Sequence, residues 1–187
     1  MNRYAIYYSY KEMGDVVVIV FDSDKSVTKT ETKGRVEVFY HDNQIIRYNI
    51  RNVKEIIKIK NEGLIFLPSP TLIEILNSIL INEGLKPLEE LKDSGYFVAK
   101  VIDKKDNRLT LSLGDETYQI ESSSEVNIHD VVVIAKQGTF LNTQKVVEHS
   151  AHICTYKELG INENEDKTLI LDSDIDLGKD FFSLEAK

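Results

Sequence analysis

The sequence predicts an α+β protein, with an N-terminal antiparallel sheet carrying one or two helices, followed by a β-barrel. Short apolar stretches bounded by turn residues recur along most of the chain, which indicates many short strands. Residues 69–84 are the clearest stretch with the helical period. Residues 92–95 have the polar, glycine-containing composition of a linker. We therefore expect two domains, 1–93 and 94–187.

In the first domain, residues 36–40 and 46–50 alternate apolar and polar side chains, which predicts two half-buried strands. Residues 16–21 are continuously apolar and predict a strand that is buried on both faces. Residues 4–10 contain four tyrosines and also read as a strand. Tyrosines at strand spacing usually pack against the sheet, although the same rings can stack on nucleic-acid bases.

The predicted helix has a start signal and a stop signal. Ser69 can cap its N-terminus, Pro70 suits the first helical position, and Gly84 suits the end. Between them, five apolar residues fall on one face, namely Leu72, Ile75, Leu76, Ile79 and Leu80. A second, shorter helix is expected after Pro87.

The second domain again shows strand patterns. Candidate strands cover residues 96–102, 108–113, 116–120 and 131–136, and residues 169–171 are expected to form a last strand. A short helix is expected at 155–160. About five strands with one small helix suit a small barrel such as the OB-fold, although this count also suits other β folds.

Composition excludes several classes of protein. Cys154 is the only cysteine, so no internal disulfide can form. The opening residues lack the apolar core of a secretory signal, and the apolar runs are too short to span a bilayer. We expect a cytoplasmic protein without a membrane role. The net charge is −8, and residues 161–187 alone carry 8 acidic against 3 basic residues. The two domains are therefore close to neutral outside this tail.

No constellation of residues predicts catalysis or a cofactor. His149, His152 and Cys154 could bind a metal, but a structural zinc site needs four ligands and the fourth is missing. Residues 172–176 begin like a calcium loop, but they are not followed by the glycine and glutamate that such a loop requires. Cys154 has no neighbouring base that would activate it. We expect no enzyme activity, no metal and no cofactor.

The segment Cys154-Thr155-Tyr156-Lys157-Glu158-Leu159-Gly160 resembles the Cys-Ser-x-x-Glu-Leu-Gly motif that closes the tRNA-binding OB domain of the YtpR family. The same domain type occurs in the β subunit of bacterial phenylalanyl-tRNA synthetase and in appendages of methionyl-tRNA synthetase. Residues 118–120 and 131–136 resemble its paired strands, and residues 8–15 and 48–50 resemble the N-terminal domain of YtpR-type proteins. The resemblance implies a tRNA-binding function.

Some family motifs are lost. Residues 122–126 stand where the family has a Cys-Gly-Ala-x-Asn turn, and residues 104–109 shorten its His-Pro-x-Ala-Asp-Lys-Leu stretch. Residues 145–152 keep only a basic residue and a valine of the Arg-Gly-Val-x-Ser-x-Gly-Met stretch. Because glycine lets a backbone approach a ligand closely, these changes are expected to reshape the binding surface while leaving the barrel intact.

If RNA binds, we expect phosphate contacts from basic side chains and hydroxyl donors across the barrel face. The candidates are Lys100, Arg108, Lys136, Lys145, Ser150, Thr155 and Lys157. A joined basic strip through Arg108, Lys136 and Lys145 would favour weak, salt-sensitive binding of tRNA by shape. Lysines separated by glutamates would favour the alternative, a degenerate barrel that binds a protein partner or forms a homodimer.

Overall fold

Two antiparallel β-sheets, one in each half of the chain, form the framework. The computed structural model describes residues 3–59, 62–122 and 124–184. The chain divides into two compact units, Met1–Lys92 and Asp93–Lys187. Most of the ordered structure is β-strand with few helices, and one of the sheets is nearly closed into a barrel. The predicted α+β class with a C-terminal barrel is confirmed.

The first unit contains one six-stranded sheet. Its strands are β1 (Ala5–Tyr8), β2 (Val16–Val20), β3 (Lys29–Lys33), β4 (Val36–His41), β5 (Gln44–Arg51) and β6 (Gly63–Ile65). They lie in the order β3-β4-β5-β2-β1-β6, with every neighbouring pair antiparallel. A single helical turn, α1 (Tyr10–Met13), follows β1.

The core of the first unit forms between this sheet and helix α2 (Pro70–Asn82). The Ser69 hydroxyl accepts from the Leu72 amide at 3.2 Å, which confirms the predicted cap. Leu76 and Leu80 are fully buried against Val17 and Ile19 of β2. Such apolar contacts are the main stabilising term in a core of this kind.

Two local predictions for this unit were wrong, and one strand was missed. In β2 only alternate residues are fully buried, so the strand is not covered equally on both faces. Residues 85–91 run without helical structure after α2, where a second short helix was expected. The edge strand β3 was missed because its sequence is almost entirely polar, and its pairing with β4 uses backbone groups.

The second unit contains the other sheet. Its strands are β7 (Tyr96–Lys105), β8 (Arg108–Ser112), β9 (Thr117–Glu121), β10 (Val131–Lys136), β11 (Ala151–Ile153) and β12 (Ile170–Leu171). The main path is β11-β10-β7-β8-β9, and β12 pairs with β10. Strand β7 pairs with β10 along its first half and with β8 along its second half. Strand β7 therefore joins the two parts of the sheet, and the sheet curls along it.

An irregular register at Ile102 marks the bend in β7 between these two halves. Beyond the bend, Leu109, Leu111 and Ile120 point into the barrel, together with Val132 and Ile134 from β10. The two ends of the sheet meet where the Ser150 hydroxyl, just before β11, donates to the Gln119 carbonyl of β9 at 3.5 Å. The result is a barrel-like sheet with a packed interior.

The acidic C-terminal segment is part of this barrel. Its residues 178–180 run along the free edge of β7, where the Gly178 amide donates to the Val98 carbonyl at 2.8 Å. Asp180 accepts from both the amide and the hydroxyl of Ser94. The segment ends in a helical turn, α3 (Phe181–Leu184), whose Phe181 is buried. The tail thus contributes packing as well as charge.

Residues 156–160 form turns, where a short helix was expected. Ser123, in the stretch that replaces the family's glycine turn, lies outside the described residues. Across the described ranges, every helix is too short or too polar to cross a membrane.

Candidate nucleic-acid interface

The seven predicted contact residues occupy three places on the second unit. Lys100 and Arg108 lie on the outer face of strands β7, β8 and β9, since their neighbours Val101 and Leu109 point into the barrel. Ser150 adjoins the same face through its bond to Gln119. The other four residues lie at one end of the barrel and on two loops, so a single strip does not form.

On the outer face, one of the two basic groups is already paired. Arg108 stands opposite Glu121 in the register of β8 and β9, and their side chains approach to 3.7 Å. Both side chains are about 80% exposed (80% and 79%), so the pair is weak, but it offsets the positive charge locally. Lys100 is partly exposed and forms no ion pair with a described residue.

Lys136 occupies one end of the barrel. It pairs with Ala151 across β10 and β11, on the side that faces the interior. Its ammonium group lies 4.5 Å from the centre of the Phe97 ring and 5.5 Å from that of Tyr118. The same group donates to Glu116 at 2.9 Å. Lys136 therefore closes the barrel end by cation–π and ionic contacts.

Protonation at this end of the barrel follows from those contacts. Burial of Lys136 opposes its charged form, but hydrogen bonds with Glu116 and Tyr118 outweigh burial and raise its pKa. The Lys136 and Tyr118 hydrogen bonds lower the pKa of Glu116. Lys136 therefore stays charged and paired with Glu116 at neutral pH. This role in closing the barrel conflicts with the predicted role of Lys136 as a phosphate contact.

A polar turn follows β11. The amide and hydroxyl of Thr155 donate to Glu158 at 2.9 and 3.2 Å, and the Glu158 amide returns a bond to the Thr155 hydroxyl at 3.3 Å. This is the reciprocal arrangement of a capping box, here closing a turn. The His152 ring lies 3.0 Å from the same carboxylate. Thr155 thus fixes the turn that carries Lys157.

His152 and Glu158 were missed as members of the site. Burial raises the pKa of Glu158, but the His152 and Thr155 hydrogen bonds outweigh it, and the net pKa is lowered. The signal in the sequence was the Thr-x-x-Glu spacing at 155–158, which is typical of reciprocal capping. The partnership with His152 depends on the fold, because that residue comes from the preceding strand.

A second loop is tied to this turn by Asn142. The Asn142 amide donates to the Glu158 carbonyl at 3.1 Å, and its side chain donates to the Lys157 carbonyl at 3.4 Å. The Leu141 amide in turn bonds the Lys145 carbonyl at 2.8 Å. Lys145 and Lys157 therefore project from two adjoining loops, and neither forms an ion pair with a described residue. We call these residues, 141–145 and 155–160, the paired loops.

The candidate nucleophile and metal ligands do not assemble. Burial, with the nearby Glu158 charge, raises the pKa of Cys154 well above its ordinary value. His149 is almost fully exposed and faces Glu148 at 3.9 Å, whereas His152 is engaged by Glu158. Over the described ranges, three or more His, Cys, Asp or Glu side chains do not gather in a way that could hold a metal ion.

Comparison with known sequences relates part of the first unit to a family. Residues 23–91 match a family described as "Domain of unknown function (DUF4479)". The matched region covers β3 to β6, α2 and the segment that follows the helix, all within the first unit. No curated protein matches the chain.

Proposed function

We propose that this is a non-catalytic tRNA-binding protein of the YtpR type, which contacts tRNA through the OB-like barrel of its second unit. The observation that carries the proposal is the geometry of the paired loops. Lys145, which is exposed, and Lys157, which is partly exposed, lie on neighbouring loops and form no ion pair with a described residue. One of these loops is the Cys-Thr-Tyr-Lys-Glu-Leu-Gly turn. The match at residues 23–91 falls in the region that the resemblance assigns to the N-terminal YtpR-type domain.

In this proposal, Lys145 and Lys157 contact phosphates, and Lys100 extends the contact onto the outer face of the barrel. Thr155 acts indirectly, because its hydroxyl is committed to Glu158. Recognition depends on the shape and backbone of the RNA, because the proposed contacts are lysines that bind phosphates. A net charge of −8 works against long-range attraction, so binding is weak and sensitive to salt.

Two features support a binding role without catalysis. The Cys154 thiol is fully buried with a raised pKa, which removes it as a nucleophile. His152 shares a hydrogen bond with Glu158, whose carboxylate also holds the turn together. A cytoplasmic location fits the single reduced cysteine and gives access to tRNA.

The test is binding of bulk tRNA to the full chain, measured by fluorescence anisotropy at 50 and 200 mM salt. With three phosphate contacts, this change in salt should weaken binding about 20- to 40-fold. The double variant Lys145→Glu/Lys157→Glu should lose binding at both concentrations. Lys136 is left unchanged because its substitution would damage the barrel.

The matched control is Lys11→Glu/Lys58→Glu, which makes the same change in net charge at two exposed lysines of the first unit. It should bind tRNA like the wild type. The proposal is wrong if wild-type protein does not bind tRNA at low salt, or if both double variants lose binding equally.

A second function, a barrel that binds a protein or forms a homodimer, is favoured by one observation. Two of the basic residues predicted to contact RNA are neutralised, Arg108 by Glu121 and Lys136 by Glu116. Sedimentation of the pure protein over a range of concentrations tests the dimer directly. A monomer at all concentrations would exclude the homodimer.

A further inference from the structure

The first unit contains a cleft of about 670 Å³, which has the size of a small-molecule site. It lies where β1 and β5 begin and β2 ends, and its other wall is the segment after α2. Its main lining residues are Tyr4, Phe21, Gln44, Tyr48, Lys86 and Glu89. We call it the aromatic cleft.

One wall of the aromatic cleft is made of three rings. Phe21 meets Tyr4 at 6.1 Å and 60°, and it meets Tyr48 at 5.3 Å and 90°, measured between ring centres and planes. Tyr4 and Tyr48 are buried, whereas Phe21 remains partly exposed. Phe21 is therefore the ring that a ligand can reach, and Tyr4 and Tyr48 hold it in place from behind. Aromatic groups pair favourably with such a ring through either its face or its edge.

The opposite wall is held in place without secondary structure. The Tyr4 hydroxyl donates to the Glu89 carbonyl at 2.6 Å. The side chain of Asn77 on α2 brackets Leu88, accepting from its amide at 2.6 Å and donating to its carbonyl at 3.0 Å. The segment that carries Lys86 and Glu89 is thus fixed to both the sheet and the helix, so the cleft is preformed.

The rim supplies a specific set of polar groups. The Gln44 side-chain carbonyl accepts from Lys25 at 2.7 Å, which leaves the Gln44 amide nitrogen as a donor. Glu89 supplies a carboxylate acceptor and Lys86 supplies a positive charge. Neither Lys86 nor Glu89 forms an ion pair with a described residue. The cleft therefore combines an aromatic wall, a donor, an acceptor and a cation.

We infer that the aromatic cleft binds one nucleotide unit whose base carries an amino group beside a ring-nitrogen acceptor, that is, adenine or cytosine. The base lies against the ring wall, where stacking is a common mode of recognition. The Gln44 amide donates to the ring nitrogen and Glu89 accepts from the amino group. Lys86 contacts the phosphate. The unit is either a free nucleotide or the unpaired end of an RNA, and the second source rests on the proposed function.

The first test compares AMP with IMP by isothermal titration calorimetry on the full chain. IMP differs by an oxo group and a protonated ring nitrogen, which reverses the donor and the acceptor on that edge. AMP should bind with a Kd of about 1 mM or tighter, and IMP at least about tenfold more weakly. Equal binding of AMP and IMP, or no AMP binding at about 10 mM, would overturn the inference.

Two variants locate the site. Lys86→Glu should weaken AMP at least about fivefold and leave adenosine unchanged, because only AMP carries the phosphate. The control Lys58→Glu makes the same charge change at an exposed lysine that does not line the cleft, and it should bind AMP normally. Glu89→Gln should reduce the preference for AMP over IMP, because an amide can donate as well as accept. AMP binding that is unchanged in both Lys86→Glu and Glu89→Gln would place the site elsewhere and refute the assignment.

A free nucleotide and an unpaired RNA end are distinguished with two RNAs. One is a short single strand that ends in adenosine, and the other is a blunt hairpin. Both RNAs are titrated into Lys145→Glu/Lys157→Glu, so that the paired loops do not contribute. Tighter binding of the single strand than of both AMP and the hairpin indicates an RNA end, and binding no tighter than that of AMP indicates a free nucleotide. AMP titration into Lys145→Glu/Lys157→Glu keeps the two proposals apart. AMP binding there with tRNA binding lost supports both proposals, whereas tRNA binding by wild type without AMP binding refutes only the aromatic cleft.

Discussion

The two sheets of this protein cover their apolar faces in different ways. In the first unit, helix α2 packs on one face of a six-stranded sheet, and buried leucines of the helix meet alternate residues of β2 and β5. In the second unit, the sheet curls so that its own strands face one another. There the closing elements are a lysine at the barrel end and the C-terminal segment along β7.

This difference determines where each unit can bind a ligand. A helix that covers a sheet must be followed by a segment that leads the chain back. In the first unit this return segment, residues 85–91, is fixed to the sheet at Tyr4 and encloses the aromatic cleft between itself and the sheet end. A curled sheet fills its own interior, so the second unit can offer only its outer face and its loops. A ligand of the first unit is thus expected to lie in a concave site, and a ligand of the second unit on a convex surface.

The most damaging single change should be Lys136→Glu, which tests whether this lysine closes the barrel. The variant loses the contacts with Phe97 and Tyr118 and places a second carboxylate beside Glu116. We expect a loss of about 2–4 kcal/mol in the free energy of unfolding. Urea unfolding followed by circular dichroism measures it. Lys145→Glu, at an exposed loop position, should change it by less than about 0.5 kcal/mol. Similar small losses in both variants would show that the barrel end needs no closure.

Next in size should be Gly178→Ala, which tests the seating of the tail on the barrel. Gly178 has φ +75°, and a Cβ there would lie 2.4 Å from the Leu113 carbonyl oxygen. Backbone strain together with this overlap should cost about 2–3 kcal/mol.

The matched variant is Gly138→Ala, where φ is +81° and the Cβ would meet open space. It should lose only about 1 kcal/mol, from backbone strain alone. The difference in thermal stability between the two variants measures the cost of the overlap with the Leu113 carbonyl oxygen. If they are equally stable, the tail is not pressed against the barrel.

A smaller and pH-dependent loss is expected for Glu158→Gln, because the carboxylate accepts bonds from His152 and Thr155. At neutral pH the variant should be about 1–2 kcal/mol less stable. The pKa of Glu158 is lowered in the folded protein. The extra stability of the wild type over Glu158→Gln is therefore complete above about pH 4.3, the ordinary pKa of glutamate. It disappears as the pH falls through the lowered pKa.

Unfolding measured at several pH values from neutral to strongly acidic checks this dependence. The exposed Glu148→Gln serves as the control and should match the wild type throughout. A difference between wild type and Glu158→Gln that stays constant with pH would contradict the role assigned to the carboxylate.

The smallest effect should come from Tyr4→Phe in the first unit. This variant keeps the ring wall and removes the bond to Glu89, so it should cost about 1 kcal/mol. Burial, followed by the charges of Glu90 and Glu89, raises the pKa of Tyr4 to about 12. The neutral hydroxyl therefore contributes fully below about pH 10, and the contribution is lost as the pH rises through about 12.

Urea unfolding at pH 8 measures the loss in Tyr4→Phe. Tyr10→Phe is the control, because Tyr10 is 49% exposed and should tolerate the loss of its hydroxyl. An unchanged stability in Tyr4→Phe would mean that the return segment is held by Asn77 alone.

Local features of the sequence were sufficient for much of the fold. Helix α2 was predicted because its cap, its first proline and its apolar stripe all lie within one short stretch. Strands β5 and β10 were predicted because alternation or continuous apolar character within six to eight residues selects extended structure. The polar strand β3 was not predicted, because a strand without apolar alternation is identified only by its hydrogen-bonded neighbour.

The candidate site was predictable only in part, and the reason is electrostatic. The sequence by itself determined which residues are basic and that Thr155 and Glu158 have the spacing to cap each other. The tertiary structure alone decided which charges remain available. Lys136 contacts Phe97, Tyr118 and Glu116 because the barrel closes. Lys145 and Lys157 lie on adjoining loops because Asn142 links these loops. Charges interact over a few ångströms, and which side chains come that close depends on strands and loops that are distant in sequence.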